Sequence, residues 1–231
     1  MKKITTSFRT MTMALLAIGA MFAGCDKDDE APAQARVVVT HASPDAPGVD
    51  LLVDDQKVNS AALTFPSNTG YLAVNSGTRN IKVNAAGTST SVINANLTLE
   101  ANKNYSVFAC NRLATIEAVV LEDNLTAPAA GKAHIRVVHL SPDAPAVNIG
   151  VAGSSSNLFT NLAFKGATAF TPVDAGTYNL EIRLASNNSV VLPIPSVALA
   201  AGKIYTVFAR GFVAPPTGNT NTLNVSIINN N

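Results

Sequence analysis

Tryptophan is absent from this chain of 231 residues, cysteine occurs twice, and only 13% of residues are charged, against about 25% in an average soluble domain. With a net charge of +1 the chain has no field for gripping nucleic acid, and with 47% hydrophobic residues it does not belong to the disordered class. After Cys25 no segment sustains apolar residues at helical spacing for three turns, which excludes a helical body. Neither a Gly-x-Ser-x-Gly nucleophile elbow nor a His-Glu-x-x-His zinc motif is present. In place of ions the chain has amides: 23 asparagines, none before position 59. The body is expected to be globular and turn-rich, with a surface polar through amides and hydroxyls.

The N-terminus reads as an address. Lys2, Lys3 and Arg9 precede an apolar run from Met11 to Gly24. Those 14 residues span only about 21 Å, short of a hydrocarbon core of about 30 Å, so they predict a secretory signal and not a membrane-spanning helix. Phe22, Ala23, Gly24 and Cys25 resemble the bacterial lipobox, with Phe22 in the place usually held by Leu. The resemblance implies a signal peptide over residues 1–24 and an acylated Cys25 anchoring the chain to a membrane. Asp26, Lys27, Asp28, Asp29 and Glu30 open a tether over residues 25–34 that resembles the acidic export tag of Bacteroidota surface lipoproteins. The expected location is the surface of the outer membrane, with its periplasmic face as the alternative. With Cys25 lipidated, Cys110 has no partner for an internal disulfide and is expected to be an inert, partly buried thiol near a strand end.

The body is one unit written twice. His41, Ser43, Pro44, Asp45, Ala46, Pro47 and Val49 recur as His139, Ser141, Pro142, Asp143, Ala144, Pro145 and Val147, at an offset of 98. Lys103, Tyr105, Val107, Phe108 and Ala109 recur as Lys203, Tyr205, Val207, Phe208 and Ala209, at an offset of 100. Repeats over residues 35–123 and 133–231, joined by a linker at 124–132, follow from these offsets. Strands are expected at Arg36–Thr40, Val49–Val53, Gly70–Val74, Arg79–Val83, Val92–Leu97, Asn104–Ala109 and Thr115–Leu121. Those of the second copy include Ile135–Val138, Val147–Val151, Thr168–Thr171, Tyr178–Leu184, Ile204–Ala209 and Leu223–Ile228. The fold class is all-β, two tandem immunoglobulin-like β-sandwiches.

The repeated block His-x-Ser-Pro-Asp-Ala-Pro connects two strands. Pro44 presets φ for a type I turn, Ser43 and Asp45 are placed to accept bonds from nearby backbone N–H groups, and Pro47 keeps Ala46 out of the helical region. Strand parity puts His41 with Val37 and Val39, and His139 with Ile135 and Val137, which predicts buried imidazoles that pin their own loops. A metal or acid–base reading would join His41, Asp45 and Asp50. Asp50 is Asn148 in the second copy, and no further His or Cys lies nearby to complete a transition-metal set, so only oxygen-liganded calcium stays open. No metal, cofactor or catalytic residue is assigned.

The block, its following strand and the Gly77-Thr78 and Gly176-Thr177 turns resemble a bacterial family built on a domain of unknown function, number 4397. The resemblance covers both copies and implies secreted or lipid-anchored β-sandwich modules, with no established activity. The expected function is a non-catalytic binding or structural module of the cell envelope, partnered by the membrane through Cys25 and by an envelope protein or glycan. A glycan-binding accessory is the alternative, with Tyr71 and Phe212 as the aromatics most open to a sugar, although core or loop anchoring is the favoured reading of each. An enzyme using His41, Ser43 and Asp45 is the third reading, and so tight a turn leaves it little room.

Overall fold

The structure, a computed structural model, describes residues 32–231. The expected signal peptide over residues 1–24, Cys25 and most of the expected tether lie outside the described residues. The first repeat contains β1 (Gln34–His41), β2 (Val49–Val53), β3 (Gln56–Lys57), β4 (Asn68–Asn75), β5 (Gly77–Ala85), β6 (Ser91–Leu99), β7 (Asn104–Cys110) and β8 (Glu117–Glu122). The second contains β9 (Lys132–His139), β10 (Val147–Val151), β11 (Asn157–Leu162), β12 (Thr171–Asp174), β13 (Gly176–Leu184), β14 (Val190–Leu199), β15 (Ile204–Arg210) and β16 (Asn224–Asn229).

Each repeat is a sandwich of two four-stranded sheets, ordered β4-β1-β7-β8 over β3-β2-β5-β6, and β12-β9-β15-β16 over β11-β10-β13-β14. Alternate residues of facing strands fill each interior: Val37, Val39, Leu51, Val83 and Val107 in the first, Ile135, Val137, Ile149, Ile182 and Val207 in the second. In both repeats the opening strand pairs in parallel with a strand near the end of the copy, β1 with β7 and β9 with β15.

Three expected strands are corrected. Thr168–Thr171 is mostly loop, because the Thr168 hydroxyl accepts the Val137 N–H at 3.0 Å, and β12 begins only at Thr171. Thr115–Leu121 divides into a 3₁₀ turn at Leu113–Thr115 and the later strand β8. Leu223–Ile228 starts one residue later. The strands β3, β11 and β14 have no counterpart in the sequence reading. Pro193 and Pro195 hide β14, and they are tolerated because it is an edge strand, where a missing N–H need break no ladder bond.

A third apolar cluster lies between the repeats. Phe108, Cys110 and Ala42 of the first copy meet Val138, Leu140, Phe208 and Ile228 of the second, with the Phe108 and Phe208 rings 5.8 Å apart. The inner sheets are therefore covered on both faces, and β7 and β15 run buried at almost every residue. Pro32–Asn231 is one compact unit with four sheet layers.

Candidate functional site

Both motif loops lie where an inner strand crosses to an outer one, at the end of β1 and β9 remote from their N-termini. The His41 and His139 side chains are fully buried. Their Nε2–H groups donate to the carbonyls of Pro47 at 2.9 Å and Pro145 at 3.1 Å, each closing its loop. A carbonyl can only accept, so Nε2 carries the proton of the neutral ring, and burial pushes both imidazoles below the ordinary histidine value. Each ring also meets a phenylalanine edge-on: Phe65 for His41 and Phe164 for His139. Pro44 and Pro142 occupy the turns themselves.

The carboxylates reach farther than the turn. Asp45 Oδ1 accepts the Leu113 N–H at 2.8 Å, and Asp143 accepts the N–H groups of Val213 and Ala214 at 2.8 and 2.9 Å. The partners expected to be local are thus about seventy residues away, in the loops that follow β7 and β15. Sequence proximity was misleading because the parallel pairing brings those distant loops beside the motif. Ser141 Oγ donates to the Gly211 carbonyl at 2.6 Å, whereas Ser43 Oγ is buried without a protein partner. Ser141 Oγ does not bond to His139; instead its backbone N–H donates to His139 Nδ1 at 3.3 Å. The observed bonds brace loops and do not form a nucleophile–base chain.

The two copies differ most in the braced loop. Thirteen residues separate β15 from β16, where six separate β7 from β8. The longer loop reaches the first repeat through Asn219 and Asn221, whose side-chain amides both donate to the Pro44 carbonyl at 2.9 and 2.6 Å. It also forms one wall of a half-open cavity of about 390 Å³ lined by Pro145, Val147, Leu184, Phe212, Val213 and Leu223, among others.

Both aromatics weighed for a sugar are anchored in the body instead. Phe212 is 0% exposed, with the Arg112 guanidinium 4.7 Å from its ring centroid. Tyr71 is half-buried, and its hydroxyl donates to Asp123 Oδ2 at 2.5 Å. Each aromatic is taken up by a cation or a carboxylate from a neighbouring segment, which strand parity does not reveal.

A second polar constellation was missed in the sequence reading. Asp123 also accepts Arg136 Nη1 at 2.7 Å and Ser106 Oγ at 2.7 Å. Arg136 donates further to Thr206 and Ser106 and lies over the Phe170 ring. These groups join the repeats inside their shared interface. The one available signal was that Arg136 stands at the repeat position of Val38, a charge where the other copy has an aliphatic side chain. Cys110 ends β7 in the same interface, and burial pushes its thiol up to about 12. Among the described residues no group of three or more His, Cys, Asp or Glu is placed to hold a metal ion, and no helix is long and apolar enough to cross a membrane.

The family model "Domain of unknown function (DUF4397)" matches residues 35–150 and 151–229. The chain belongs to the DUF4397 family. None of the curated proteins matches the chain. Among solved structures, CBMbc (family CBM26) from Eubacterium rectale Amy13K, in complex with maltoheptaose, matches at 11% identity. The match covers 83% of this chain and 96% of that one with a TM-score of 0.28, too low to carry any argument about this DUF4397 chain.

Proposed function

We propose that this protein is a non-catalytic binding module held at the cell envelope by acyl chains on Cys25. The observation that carries the reading is the use of the motif: His41, His139, Asp45, Asp143 and Ser141 all spend hydrogen bonds on bracing their own loops or the loops beside them. A rigid two-sandwich body with braced loops at one pole is suited to presenting a surface. The anchor is supported by the charged start, the short apolar run and the small residues before Cys25. The β1 strand begins at Gln34, so its N-terminal end, where an anchored chain would leave, is opposite the motif loops. Cross-linking on intact cells followed by affinity capture should recover one or a few defined envelope partners. Repeated recovery of only lipids and abundant bystanders would remove the support for a binding role. Loss of turnover on changing His41 and His139 to Ala, in a chain that still folds, would establish an enzyme instead.

A second reading, glycan binding, draws on the outer face of β5 and β6. There the Asn80 amide donates to Asn94 and Asn96 at 2.9 and 3.0 Å, and the Thr78 and Thr98 hydroxyls lie 3.2 Å apart. Such a largely exposed array of amides and hydroxyls complements sugar hydroxyls. Affinity electrophoresis through soluble polysaccharides tests it, and unchanged mobility in all of them would dispose of it.

A further inference from the structure

We infer that the cavity beside the second motif loop is a binding site for a compact, uncharged, hydrocarbon-rich small molecule. Its volume of about 390 Å³ falls in the range of about 300–1,000 Å³ usual for small-molecule sites. None of its lining residues is charged, and Thr222 has the only polar side chain among them. An ionic ligand would lose its hydration there without gaining a partner, whereas a neutral hydrocarbon body gains from every contact.

The walls are built by the motif. His139 fixes the carbonyl of Pro145, Asp143 fixes the N–H of Val213, and Ser141 fixes the carbonyl of Gly211, next to Phe212. Pro145, Val213 and Phe212 all line the cavity. A preformed wall lowers the cost of ordering on binding. Two of the lining residues, Val213 at 54% and Val191 at 41%, expose large apolar side chains that a hydrocarbon ligand would cover. A small molecule is favoured over a lipid bilayer because the cavity lies at the pole opposite the N-terminal end of β1.

This inference rests on the binding-module reading and names its ligand class. The test is titration of the Cys25→Ser chain with N-phenyl-1-naphthylamine, a neutral apolar fluorophore; the absence of Trp keeps the protein's own emission low. Saturable enhancement with one probe per chain is expected. Val213→Glu and Val191→Glu should each weaken it at least tenfold. Leu113→Glu, in the braced loop of the first copy, should leave it unchanged. Circular dichroism checks the fold of each variant, and Val191→Glu serves alone if Val213→Glu unfolds. No saturable signal overturns the inference, as does binding that the cavity variants spare or that Leu113→Glu weakens equally. Such a failure would leave the cell cross-linking result standing, and an empty cross-linking result would leave this titration standing.

Discussion

Arg136 of the second repeat donates Nη1 to Asp123 Oδ1 at 2.7 Å, with the two side chains 3% and 0% exposed. The contact joins the repeats and breaks their symmetry. The first copy has Val38 at the position of Arg136, and the second has Asn230 at that of Asp123, as the shared bonds to Thr206 and Ser106 show. Each of the two buried charges has a neutral residue at the matching place in the other copy, and each depends on the other.

Arg136→Val should therefore destabilise the chain by about 3–5 kcal/mol, because Asp123 remains buried with its cation gone. Arg136→Val combined with Asp123→Asn should recover most of that loss, since it gives both copies the neutral residues found across the pseudo-symmetry. Urea denaturation of the wild type, both single variants and the double variant measures the coupling. A double variant no more stable than Arg136→Val alone would contradict this account.

The histidines predict a pH dependence. Burial lowers the folded-state values of His41 and His139 below the ordinary 6.5, so the unfolded chain binds their protons first. Their contribution is complete above pH 6.5 and is lost as the pH falls from there toward the folded-state value. Within that window each histidine adds a slope of up to about 1.4 kcal/mol per pH unit. Melting temperatures should be level between about pH 7 and pH 8, below the range in which the unfolded Cys110 thiol ionises, and fall as the pH drops below about 6.5; a rise on acidification would refute it.

Gly211 makes the braced loop possible. It has φ of +81°, and a Cβ there would lie 2.2 Å from the Thr222 carbonyl oxygen. Gly211→Ala should cost at least about 1–3 kcal/mol from the left-handed backbone alone. It should also push Thr222 outward, opening the cavity wall. Thermal melting reads the first effect, and faster amide hydrogen exchange confined to residues 211–223 reads the second.

Cys110 is sealed between the repeats, with its thiol pushed up to about 12 by burial, so little thiolate exists at neutral pH. In a Cys25→Ser chain, a disulfide reagent should find no reactive thiol under native conditions and one per chain in denaturant. Reaction at the rate of a free cysteine in the native state would show that the interface opens readily.

The turn chemistry of the motif and the strand alternation were legible because both are local. The prolines set φ at Pro44 and Pro142, and Val37 and Val39 share a face by period two. What escaped depends on distant pairing: Asp45 with Leu113, Asn219 and Asn221 with Pro44, Tyr71 with Asp123. One signal for the interface was present. Val37-Val38-Val39 and Val107-Phe108-Ala109 do not alternate with polar residues, and an unbroken apolar run marks a strand buried on both faces. The cavity left no trace in local pattern, since its walls come from the motif loop, β10, β13, β14 and the loop after β15.

The Tyr71 hydroxyl accepts a bond from Asn230, which lies 159 residues downstream. The joint between the halves therefore cannot close during synthesis until nearly all of this sequence has emerged. Contacts of such long range make folding slow. Each half has a core of its own, so the joint between them is the last part of the molecule to become rigid.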